Sequence, residues 1–184
     1  MEFAHKTILD ELLHSINPEK VLNVLDAGSG RTSLRSLLDY FQEAYVEAVV
    51  YPNDQRKISS ITENITLEER YQLKKLDLCK ESLIQCYDVV VAHLLLGEAE
   101  KFGHTFEELF LRLTYIRCKY LIVIDYVEDP VINLNYMENI FHTSKYRILK
   151  KVQLPTPIPY EGDNFIGKTN FGYLVTTDFS KDLQ

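Results

Sequence analysis

The apolar positions of the chain change rhythm repeatedly between helical and strand-like spacing. Phe3, Ile8, Leu9, Leu12, Leu13 and Ile16 recur mostly at helical intervals, which predicts a helix over residues 2–16 that stops at Asn17-Pro18. Val21-Leu22-Asn23-Val24-Leu25 is then apolar at four of five positions, as expected of a central strand covered on both faces. Leu34, Leu37, Leu38 and Phe41 return to the helical period and predict a helix over 33–43. A second strand is expected over 45–51. A helix starting at Asn53 or Asp54 follows, with Ile58, Ile61 and Ile65 inward.

Residues 66–78 are mixed, since Thr66-Leu67-Glu68-Glu69 has the form of a capping box whereas Tyr71, Leu73 and Leu76 alternate as in a short strand. A strand is expected there, ending before Asp77. Further strands are expected over 87–92, 120–124, 146–154 and 171–179, with helices over 100–117 and 133–142. This alternation predicts a doubly wound α/β fold with a mostly parallel sheet and helices on both faces. The last two strands have no helix between them, so they should form an antiparallel hairpin that leaves one antiparallel strand at the sheet edge.

At 184 residues the chain is read as a single domain spanning 1–184. It is 46% hydrophobic and 26% charged, and no run approaches the ~18 apolar residues of a membrane span. The first residues lack the basic-then-apolar order of a secretory signal, so a cytoplasmic location is the default expectation. Cys79, Cys86 and Cys118 show no C-x-x-C spacing and read as small apolar residues of a reducing compartment, with no metal expected. The net charge of −7 disfavours nucleic acid as a partner and points to a small-molecule or protein substrate.

The candidate site begins where the first strand ends, at Asp26-Ala27-Gly28-Ser29-Gly30. Two glycines let the backbone turn and approach a ligand, and Thr32 or Ser33 can cap the helix that follows. A dinucleotide fingerprint needs a third glycine at position 33, where Ser33 stands, and Asp26 would repel a pyrophosphate. A carboxylate there suits a ligand that carries an ammonium group beside a carboxylate.

On these residues the stretch resembles motif I of the class I S-adenosylmethionine-dependent methyltransferases, [DE]-x-G-x-G-x-G, with Asp26, Gly28 and Gly30 on the pattern and Thr32 in the third glycine slot. The resemblance implies a seven-stranded sheet, S-adenosylmethionine as cofactor, and methyl transfer; a non-catalytic binding module of the same fold is the alternative. It places Asp26, Gly28, Ser29 and Gly30 on the donor's amino-acid end. Val50 stands where the family usually has an acidic ribose ligand, leaving Tyr51 to pack on the adenosine and Asp54 to reach the ribose. Asp77 and the backbone of Leu78 are implied to meet the adenine; capping of a helix through Leu83 and Ile84 is Asp77's other reading.

His93 directly follows the fourth strand and is the candidate general base or donor contact. Glu98 and Asp125 are further acid/base candidates, though carboxylates in such loops are usually solvated. His5, His14, His104 and His142 have no metal spacing and read as surface residues. The loop 155–170, with Tyr160 and Phe165, reads as a lid or as a plain proline-stiffened connection.

Overall fold

Seven strands form one sheet in the order β3-β2-β1-β4-β5-β7-β6, and that order places the site. The structure, a computed structural model, describes residues 4–66, 70–127, 132–155 and 169–177. Phe3, most of the capping box at 66–69, and Tyr160 and Phe165 lie outside the described residues.

The first helix, α1 (Ala4–Leu13), buries Ile8, Leu9, Leu12 and Leu13. β1 (Asn23–Asp26) follows a short 3₁₀ turn, and α2 (Arg31–Tyr40) begins five residues after it ends. Next come β2 (Tyr45–Val50), α3 (Gln55–Asn64) and β3 (Tyr71–Lys75). β4 (Tyr87–His93) leads into a 3₁₀ segment, Leu96–Phe102, and then α4 (Phe106–Tyr115). β5 (Cys118–Tyr126), α5 (Leu134–Thr143), β6 (Arg147–Pro155) and β7 (Thr169–Thr176) complete the order.

Alternate side chains of the inner strands enter two separate cores. Val24, Val89 and Val91 join α1, α2 and α3 on one face of the sheet. Leu25, Val90 and Ala92 join α4, α5 and the 3₁₀ segment on the other. Period-two alternation thus feeds two apolar layers, which explains why these strands carry almost no polar residues. β6 and β3, at the two ends of the order, read part-exposed along their length, as edge strands should.

Strands β1 to β5 are parallel, with Asp26 level with Ala48 on one side and Val91 on the other. Their carboxyl ends therefore open along one rim, and the strand order reverses between β1 and β4. Crevices at such a reversal are where open α/β sheets bind ligands.

Three expectations change. β7 is the antiparallel strand and lies between β5 and β6, so the antiparallel strand is internal. The helix expected over 100–117 is split, because Gly103 sits at φ 80, a left-handed conformation that ends the 3₁₀ segment. Only a turn joins β3 to β4, and Ile84, expected within a helix there, is 83% exposed.

Candidate functional site

Asp26 ends β1 fully buried, and its surroundings explain how a carboxylate survives there. Its Oδ2 accepts hydroxyl hydrogen bonds from Ser29 and Ser33, each at 2.7 Å. Its Oδ1 is buried and has no hydrogen-bond partner among the described residues. Burial pushes the Asp26 carboxyl up to about 6, against the pull of the Ser33 and Ser29 hydroxyls and the Lys57 charge.

The glycine turn works differently from the expectation. Neither Gly28 nor Gly30 adopts a positive φ. Gly28 is required by proximity, because a Cβ there would lie 2.6 Å from Leu95 Cδ1 and 2.9 Å from Leu95 Cβ. A Cβ on Gly30 would meet nothing within 4 Å. Gly30, and not Thr32 or Ser33, is the N-cap of α2; Ser33 reaches back from the first turn, accepting the Gly30 N–H at 3.1 Å.

On the side of the rim toward β2 and β3 the crevice is nearly closed. Tyr51, expected to face an adenosine, stacks on Phe102 with ring centroids 4.0 Å apart. Asp54 caps α3 through the Lys57 N–H, with Lys101 Nζ 3.7 Å from its Oδ2. Asp77 caps no helix. Its Oδ1 accepts the Cys79 N–H, and its Oδ2 lies 3.0 Å from His104 Nε2. His104 is consequently no surface residue; its side chain is 11% exposed. Leu78 is buried beside Asp77, and Arg112 Nε donates to its carbonyl. The space left between these groups is about 40 Å³.

On the β4 side the rim opens into a chamber of about 560 Å³, within the size range of small-molecule sites. Gly28, Gly30, Ser33, Lys57, His93 and Leu94 are among its lining residues. His93 reaches it from the end of β4, but His5, expected at the surface, is buried beside it with Nδ1 3.0 Å from His93 Nε2. Leu94 carries φ 53, a conformation that costs a branched L residue ~1–2 kcal/mol and often marks a functional turn. Asp125, expected to be solvated, is fully buried and accepts the N–H groups of Gly97 and Tyr126. Glu98 pairs with Lys57 at 2.6 Å. A wider groove of about 770 Å³, bordered by Lys6, Asp10, Arg35 and Asp39, lies off the strand ends between α1 and α2.

Burial, with the neighbouring His5 and Lys57 charges, holds His93 down to about 3. A neutral imidazole of that strength is poorly matched to proton removal near neutral pH, but it remains a hydrogen-bonding group. Its folded value lies below the ordinary 6.5, so its contribution to stability is complete above 6.5 and is lost as pH falls toward 3. The stability gap between the native chain and His93→Asn should therefore shrink by about 2 kcal/mol from about pH 7 to about pH 5, as read from urea midpoints. A gap constant with pH would show that His93 is not held neutral.

Sequence reasoning missed His5, Leu94, Phe102 and His104. Gly103, as a helix-stop residue, was the one available signal, and it would have put Phe102 at the end of an element.

Several solved methyltransferase structures share this architecture. An O-methyltransferase domain of StiE (residues 961-1257) aligns with TM-score 0.68 and 16% identity, covering 97% of this chain and 76% of that one. The N-methyltransferase NodS from Bradyrhizobium japonicum, in complex with S-adenosyl-L-homocysteine, aligns with TM-score 0.67 and 13% identity, covering 95% and 86%. An rRNA methylase from Escherichia coli aligns with TM-score 0.61 and 16% identity, covering 94% and 62%. No family model and no curated protein matches the sequence. At these identities the likeness is one of fold.

Proposed function

Because the chain has the class I methyltransferase fold, we propose that it binds S-adenosylmethionine over the glycine turn and transfers the methyl group to a small-molecule or protein acceptor. The observation that carries this reading is the orphaned, buried Oδ1 of Asp26 at the end of β1, where the strand order reverses, its other oxygen bonded to Ser33, which lines the chamber with Gly28 and Gly30. An uncompensated buried carboxylate oxygen is costly, and an ammonium group is the partner that suits it best. Gly30, with nothing within 4 Å of a Cβ position, leaves space for a ligand to lie against the backbone.

In this reading Asp26, Gly28, Ser29 and Gly30 hold the amino-acid end of the donor, and Tyr51, Asp77 and Leu78 the adenosine. The donor supplies an activated methyl group, so the chain's own task is positioning and exclusion of water. His93, neutral and tied to His5, serves as a hydrogen-bonding contact at the chamber wall and not as a strong base. A space of about 40 Å³ is below the ~300 Å³ of a typical ligand site, so adenosine binding requires the Leu96–Phe102 segment to move and the Tyr51–Phe102 stack to part.

That closure favours one second reading, a non-catalytic module that binds a partner or senses the cofactor. Calorimetric titration with S-adenosylmethionine, its demethylated product and a nicotinamide dinucleotide separates the two, followed by labelled-methyl transfer to extract components. Binding of the methyl donor and its product is expected. Binding of the dinucleotide alone would overturn the proposal, and donor binding without transfer to any component would select the module.

A further inference from the structure

We propose that Asp77, Cys79 and His104 form a binding site for one thiophilic divalent cation, with zinc as the best-suited ion. Their ligating atoms all lie within 4.8 Å of one another. Carboxylate oxygen, thiol sulfur and imidazole nitrogen are the three donor types that zinc takes, at ~2.0–2.3 Å, in a tetrahedral shell. Nothing in the sequence spacing announces the set, because His104 follows Cys79 by 25 residues (104 − 79) and arrives from another element.

The fold holds the three groups before any ion enters. Asp77 and Cys79 share the turn after β3, where the Cys79 N–H bonds to Asp77 Oδ1 and the Asp77 N–H to Glu81 Oε2. Arg112 pins the same turn from α4 through the Leu78 carbonyl. His104 is fixed from the opposite side, since its backbone N–H bonds to the Ala99 carbonyl beside the left-handed Gly103. In the conformation described, these hydrogen bonds bring the three donors together, as a metal site needs of its scaffold.

The outer contacts also fit a metal-binding histidine. His104 Nδ1 lies 3.4 Å from Glu108 Oε2, so when a cation takes the place of the Nε2 proton that faces Asp77 Oδ2, the ring's remaining proton on Nδ1 meets the Glu108 carboxylate. Carboxylates in this position set the tautomer and raise the basicity of ligating imidazoles. Three protein ligands leave a fourth position, and the adjoining space of about 40 Å³ has room for a water molecule. Binding releases the Cys79 thiol proton to solvent; the thiolate and the Asp77 carboxylate then balance the two positive charges of the ion. Lys80, 3.7 Å from Asp77 Oδ2, is 71% exposed at its side chain and free to swing aside.

The site shares Asp77 with the proposed adenosine crevice but rests on none of that reading. The test is therefore made without a methyl donor, so failure of either proposal leaves the other standing. The full chain, stripped with a chelator, is titrated with zinc against a chromophoric competitor, and separately with cobalt(II) followed by absorption. One equivalent of zinc per chain is expected, with a sulfur-to-cobalt charge-transfer band. Cys79→Ser and His104→Ala should each weaken zinc binding at least a hundredfold, whereas Cys86→Ser, at an exposed thiol, should not change it. Zinc binding unaffected by Cys79→Ser, or a cobalt spectrum of the native chain without the sulfur band, would overturn the site; the spectrum needs no variant to fold.

Discussion

Gly172→Ala should lower the unfolding free energy by about 3 kcal/mol, the upper end of the usual cost of overpacking a core. Gly172 lies in β7, and a Cβ there would come within 2.3 Å of Ile8 Cγ2, 2.9 Å of Leu12 Cδ1 and 3.4 Å of Ile124 Cγ1. All three neighbours are fully buried, so no flexible chain end can move out of the way. Against a typical total stability of ~5–15 kcal/mol this is a large fraction, measurable as a lowered urea midpoint at unchanged slope. Ile8→Ala removes the nearest of the clashing atoms. The double variant should thus be less destabilised than the sum of the singles, since contacting sites are not additive. Strict additivity, or a midpoint unmoved by the alanine, would mean that α1 does not cross β7 at this point.

The second large effect concerns the ligand and not the fold. Gly30→Val should leave stability within ~1 kcal/mol, the cost of a poor N-cap residue, because the added Cβ meets no protein atom within 4 Å and the backbone there, at φ −133, suits any residue. Binding of S-adenosylmethionine should nonetheless fall by roughly a hundredfold, about 2.7 kcal/mol, since the branched side chain fills the space beside the glycine turn. Gly28→Val is a less selective probe. Its Cβ collides with Leu95 even without a ligand, so it should lower stability and binding together. Calorimetry of the Gly30 variant, with helix content checked by circular dichroism, decides the matter. Undiminished affinity in a folded Gly30→Val chain would remove the donor from this turn.

Much of the fold was legible because its inner strands and helices carry strong periodicity. Tyr87 to Ala92 and Tyr120 to Ile124 are largely apolar runs that lie whole within β4 and β5, whereas of Val21 to Leu25 only Asn23 onward entered β1 and Leu22, ahead of it, is 61% exposed. Asp54 as the start of α3 was legible too, because an Asx side chain before an apolar period is a local signal. The split at Gly103 was a local signal overlooked. Of the site, the turn from Asp26 to Gly30 could be read in order along the chain. The partners that set its chemistry could not: His5 meets His93 across 88 residues, and His104 meets Asp77 across 27.

By itself the sequence determined the succession of strands and helices, the carboxylate-glycine turn at the first strand's end, and which side chains are apolar enough to be covered on both sides. Those are properties of neighbouring residues, and local backbone preference with period-two or period-3.6 burial is sufficient to express them. Only the tertiary structure decided that β7 inserts beside β5, that Phe102 closes on Tyr51, that burial beside His5 holds His93 neutral, and that a carboxylate, a thiol and an imidazole converge beyond the end of β3. Each depends on groups far apart in the chain being carried to the same place by packing, and on the loss of water there, which no local pattern encodes.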